Sequence, residues 1–247
     1  MAALQNIDPE VLKSFSKAIQ AQADKLQKIF VPFQDTFKKL AKVLQDVPES
    51  TKILAEYGWY LPLDFHPPTI NCYADKLKKG NYELVSNEMV ALFDNDIADI
   101  ELNLIKKFPN RKAPIQAAIR AHNNQEYFLS IPVFFSQIEG ICKELTGIRF
   151  YKIKNDQPLT SSWIKNFKSD SIIELVLEPL KHTGVTRQKQ DLSNPLGINR
   201  HDVLHGDSVD YGENKVNSYK VLSLLNYIGE TVYMAKQRID EKEKNTT

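Results

Sequence analysis

Eight consecutive residues, Asn199-Arg200-His201-Asp202-Val203-Leu204-His205-Gly206, gather a guanidinium, two imidazoles and a carboxylate between a Pro/Gly-containing loop and a glycine. A guanidinium offers a fixed fork of N–H donors that suits phosphate. An imidazole, with an ordinary pKa of about 6.5, exchanges protons near neutral pH. Together they can bind an anion and move protons. On an ideal helix turning ~100° per residue, His201 and His205 stand ~40° apart, but Arg200 and His205 stand ~140° apart. Arg200 and His205 therefore converge only at a helix end or turn. The flanks permit one: Asn199 can cap a helix that opens at Arg200, and Gly206 can end it after one or two turns. Such an opening would aim free N–H groups at an anion. Asn199 either orients that anion or only caps; His201 is a second proton-transfer group or points outward. Asp202 sets a histidine tautomer or is a solvated first-turn residue.

The elements that must carry these residues read as helices. Only 9 of 247 residues are Gly, and apolar residues recur at helical rather than alternating spacing, which predicts an all-α protein. Asp8-Pro9 gives a cap followed by proline, and Leu12, Phe15, Ile19, Leu26 and Ile29 recur on one side. That helix is expected to stop near Pro32. A second run through Phe33, Phe37, Leu40, Ala41 and Leu44 ends before Pro48, making a helical hairpin of the first fifty residues. Gly58 to Pro68 reads as a loop, and helix resumes from Ser86 to Phe108. Tyr127, Ile131, Phe134, Ile138, Ile141 and Leu145 form the clearest buried seam, with Pro132 inside it and Gly147 as its cap. Residues 148–199 are less regular and end in a polar loop. A last long helix carries Val216, Tyr219, Leu222, Leu225, Ile228, Val232 and Ile239.

Composition narrows the function classes. The 32 Lys+Arg against 31 Asp+Glu give a net charge of +1, which excludes a polycation that holds nucleic acid by summed charge; any RNA must meet a local site. Cys72 and Cys142 are the 2 cysteines, far apart and outside any CxxC, so a disulfide framework or zinc knuckle is unsupported. Both are expected to pack as small hydrophobes in a reducing cytoplasm. No run approaches the roughly 18 apolar residues of a membrane span, and no phosphate-binding Gly loop occurs. No cofactor is expected. His66 and His122 read as locally packed residues.

Arg200 to His205 spells R-H-x-x-x-H, and this resembles the Rx4-6H motif of the HEPN (higher eukaryotes and prokaryotes nucleotide-binding) superfamily. The flanks extend the likeness. NRHDVLHG followed by DYGENKVNSYKVLSLLNYI is similar to the end of bacterial HEPN proteins, and residues 119–144, with an IP step and a QIEG signature, resemble their earlier helix. The resemblance covers about residues 111–240. It implies a HEPN-like domain over 111–247 with a charged tail, preceded by a helical region, 1–110, of unknown role.

It also implies a homodimer whose members are either metal-independent endoribonucleases or silent binding modules. Cleaving RNA without a metal requires deprotonating the ribose 2′-OH, protonating the departing 5′-oxygen and stabilising charge on phosphate. Arg200 would hold the phosphate. His205 would act as base or acid, with the His205 of a second copy in the other role. His201, Asn199 and Glu139, the last approaching from the neighbouring helix or forming a partly buried ion pair, would support them. The products would be a 2′,3′-cyclic phosphate and a 5′-hydroxyl, in a defence or toxin setting that implies a cognate inhibitor or antitoxin. Tyr211 would stack on a base or pack its turn.

Two rivals remain. His201 and His205 have the spacing of a zinc-binding H-x3-H with Asp202 as base, but Asp207 or Asp210 would have to complete the site. Alternatively, a non-catalytic helical module binds a partner protein or a nucleotide.

Overall fold

Helix is what the sequence pattern demands, and helix dominates the computed structural model, which describes residues 9–61, 65–154, 157–167, 171–181 and 198–244. The protein is all-α. Its described strands are a two-residue antiparallel pair, β1 (Ile153–Lys154) and β2 (Gln157–Pro158).

The opening departs from expectation. A single helix, α1 (Pro9–Glu56), runs through both Pro32 and Pro48 in place of the hairpin. Proline fixes φ at a helical value; what it removes is one donor and some room for the preceding turn, a cost of about 3 kcal/mol that a long helix can absorb. Ile19 and Leu44, each a member of one of the two apolar runs, are exposed at 55% and 42%. Asp8 and the side chains of Leu12, Phe15, Leu26, Ile29, Phe33, Phe37, Leu40 and Ala41 lie outside the described residues.

By compactness the chain divides after Gln45, into residues 1–45 and 46–247. In the larger unit α2 (Pro67–Lys78) leans on α3 (Tyr82–Lys107), and α3 packs on both α4 (Lys112–Asn123) and α9 (Lys215–Lys244). α2 escaped the sequence reading, and α3 begins at Tyr82, not at Ser86.

The centre of this unit is α5 (Tyr127–Thr146) laid along α9, with α4 beside α5. The seam read from sequence is the buried face: Ile131, Phe134, Ile138 and Ile141 of α5 meet Leu222, Leu225, Ile228 and Val232 of α9. Each such side chain contributes roughly 1.5–3 kcal/mol by leaving water. Phe93, Ile100 and Leu104 of α3 close the core. Pro132 sits inside α5, and Gly147, at φ +74°, ends it. The short helices α6 (Leu159–Ile164), α7 (Ser171–Leu177) and α8 (Arg200–His205) follow. The loop 182–197, expected to lead into α8, lies outside the described residues. No helix among the described residues is long and apolar enough to cross a membrane.

Candidate active site

Arg200 to His205 forms the six-residue α8, bounded as its flanking residues dictate. Asn199 has extended backbone, and its Oδ1 accepts from the His201 N–H at 2.8 Å, so its side chain caps the helix. This fills one of the N–H positions that an anion was expected to meet. Gly206, at φ +80°, is left-handed, a conformation that costs a Cβ-bearing residue roughly 1 kcal/mol or more. The turn lets the Asp207 and Ser208 N–H groups both reach the Asp202 carbonyl, at 2.8 and 3.1 Å. Val203 is the buried anchor; His201, Leu204 and His205 are exposed.

The functional candidates separate into two groups around this helix. The His201 and His205 rings stand 4.2 Å apart, centre to centre, at a tilt of 48°. Arg200 is half-buried with its guanidinium carbon 5.4 Å from the centre of the Tyr151 ring, and its Nε is buried without a hydrogen-bond partner among the described residues. Arg200 and His205 share no described contact, which agrees with their wide angular separation on a helix this short.

Glu139 does not reach Arg200. Its Oε2 accepts from the Tyr151 N–H at 3.2 Å, and its Oε1 is 4.0 Å from Arg149. It fixes the segment whose tyrosine ring lies beside Arg200, so it positions the cation at one remove. Tyr151 itself was missed by sequence reasoning; the available signal was the aromatic pair Phe150-Tyr151 directly after the Gly147 cap. The QIEG signature has a physical origin in the same stretch. A Cβ on Gly140 would fall 2.3 Å from the Arg111 guanidinium, which donates to Gln137 at 3.2 Å and pairs with Glu144 at 2.9 Å. Only glycine leaves that cation its place.

Behind α8 a small cavity of about 280 Å³ is lined by Asn199, Asp202, Ser208, Asp210, Tyr211 and Glu213, among others. Asn199 Nδ2 and Asp202 Oδ2 are buried without partners among the described residues. The three carboxylates make this side of the helix unfavourable to phosphate. Tyr211 packs: its hydroxyl donates to the Phe128 carbonyl at 3.0 Å and its ring meets Phe128 edge-on. Asp202 makes no described bond to either histidine, so neither tautomer is set by it. No group of three His, Cys, Asp or Glu among the described residues could hold a metal ion, which leaves the zinc reading without its third ligand. Of the cysteines, Cys142 is buried as expected but Cys72 is exposed, and His66 is exposed as well.

Fold and site together define a class: an all-α protein that displays two adjacent histidines on a short, capped helix and holds, against an aromatic ring at the helix's start, an arginine with no acidic partner among the described residues. Comparison with family models, with curated proteins and with solved structures finds no match.

Proposed function

We propose that the chain is a metal-independent endoribonuclease of the HEPN type. One observation carries the reading: Arg200, a half-buried cation with no acidic partner among the described residues, opens the same helix whose exposed face bears the paired His201 and His205. A guanidinium without a counter-ion is ready to take a phosphate, and two solvent-facing imidazoles can accept and return protons. The acids behind α8 direct the phosphate toward the histidine face.

Cleavage then proceeds as follows. Arg200 binds the phosphate oxygens. One imidazole takes the proton of the ribose 2′-OH, whose oxygen attacks phosphorus; the 5′-oxygen leaves with a proton from a second imidazole. The products are a 2′,3′-cyclic phosphate and a 5′-hydroxyl. Because Arg200 and His205 diverge within one α8, a homodimer completes the site, His205 of each copy serving the other. Leu204, within α8, and Val209, three residues past its Gly206 end, are exposed at 39% and 80% and give that second copy an apolar surface to cover. His201 and Asn199 support the arrangement, as a second proton carrier and as the cap, and Glu139 supports it through Tyr151. A nuclease of this kind belongs to defence or toxin systems in the cytoplasm, where a cognate inhibitor restrains it.

The burial of Arg200 against Tyr151 also favours a second reading, a silent module in which the arginine only packs and the surface binds a partner protein or nucleotide. Incubating RNA with the purified protein in EDTA, followed by end-group analysis, separates the two. Cyclic phosphate ends are expected from the wild type and none from His205→Ala. Uncut RNA, or equal cutting by both proteins, would leave the module.

A further inference from the structure

A second cluster of polar side chains is carried by α3, α4, α5 and α9, and none of it by α8. His122, at the end of α4, is only 3% exposed. Its ring meets Tyr127, Phe134 and Tyr219 at 5.5, 6.1 and 4.5 Å between centres. His122 Nδ1 lies 2.7 Å from the Ser218 hydroxyl, which lies 3.0 Å from that of Ser130; both serines are fully buried. Ser130 also reaches the Tyr127 carbonyl at 3.4 Å, so imidazole and hydroxyls form one buried chain whose direction follows the tautomer of His122. Nε2 is buried with no hydrogen-bond partner among the described residues, an arrangement that costs roughly 1–3 kcal/mol until something satisfies it. Burial holds the ring neutral, its pKa pushed down to about 4 despite the opposing pull of Asp94.

His122 forms part of the floor of a cavity of about 870 Å³, within the size range of small-molecule sites. Asp94, Tyr127, Lys215 and Tyr219 also line it. Asp94 accepts from the Tyr219 hydroxyl at 2.5 Å, and its exposed carboxylate has no cationic partner among the described residues. Lys215, the first residue of the thirty-residue α9, is exposed and likewise has no acidic partner there. One cavity thus presents a carboxylate and an ammonium that are not paired with each other. Beside the carboxylate, the Tyr219 and Tyr127 rings that share the lining favour a flat cation with several N–H donors, a guanidinium over an ammonium. Elsewhere on the lining, the Lys215 ammonium favours an anion.

We infer that this cavity binds a small guanidino acid, its guanidinium against Asp94 above the His122 floor and its carboxylate at Lys215. The inference is independent of RNA cleavage. Calorimetric titration of the full chain with L-arginine, agmatine and guanosine monophosphate tests it; agmatine has the guanidinium without the carboxylate. Wild type is expected to bind L-arginine. Asp94→Asn, which keeps an acceptor for Tyr219, should weaken that binding about tenfold or more. Lys215→Ala should weaken L-arginine several-fold and leave agmatine unchanged. No binding of L-arginine, preference for the nucleotide, or an unchanged affinity in Asp94→Asn would overturn it.

Discussion

His201 and His205 stand on a helix of six residues, exposed, and the described contact of each ring is with the other. His122 stands on the twelve-residue α4, enclosed by three aromatic rings and tied to a buried serine pair. The same side chain serves opposite ends in the two places. In the core, desolvation makes the charged imidazole costly, and the ring contributes by staying neutral and keeping its hydrogen bond. On α8 the histidines add little to packing, and what they offer is access. The local structure explains the contrast: α4 lies against α5 and α3, whereas α8 keeps one anchoring side, at Val203, and leaves the other to solvent.

The largest expected effect falls on the exposed pair. His205→Ala should slow RNA cleavage by about a hundredfold or more, the usual worth of a proton-transfer group, while the thermal midpoint stays in place. A matching fall in midpoint would mean that His205, like His122, is structural. Acid should expose the buried site next. Because the folded pKa of His122 lies near 4 and an unfolded histidine titrates near 6.5, the unfolded chain binds the proton first. Stability from this group is complete above pH 6.5 and is lost as pH falls toward 4, by about 3 kcal/mol. Urea unfolding across that range should show the loss in wild type, with a shallower slope in His122→Phe; identical slopes would remove His122 from the account.

A smaller effect belongs to the cap. Asn199→Ala removes the acceptor for the His201 N–H and should cost about 1 kcal/mol. The loss should appear as faster amide exchange in α8 and slower cleavage; unchanged exchange would deny the cap its role. The smallest tests Tyr151. Replacing it with Leu removes the ring beside Arg200, an interaction of about 1 kcal/mol, and should cut the cleavage rate several-fold, whereas Tyr151→Phe keeps the ring and the rate. Equal rates in both variants would detach Arg200 from its aromatic support.

Much of this molecule is written in local pattern. The α5 and α9 seams, the Gly147 and Gly206 ends and the Asn199 cap all depend on residues within a few positions of one another, and helical periodicity reports them directly. Local pattern misled where distant packing or length outweighed it: Pro32 and Pro48 read as stops, yet α1 passes through them. Short α2 has only Ile70, Ala74 and Leu77 buried, too few to stand out.

The sequence by itself determined that the chain is helical, that α8 is a short capped helix, and that two of its residues, His201 and His205, share a face, because each depends on spacing along one stretch of backbone. Only the tertiary structure decided that Arg200 lies beside Tyr151, that Glu139 serves Tyr151 rather than the arginine, and that Asp94, His122, Lys215 and Tyr219 surround one cavity. Those neighbours are far apart in the chain and meet only because α3, α4, α5 and α9 bury their apolar faces together, a contact that spacing along the chain does not encode.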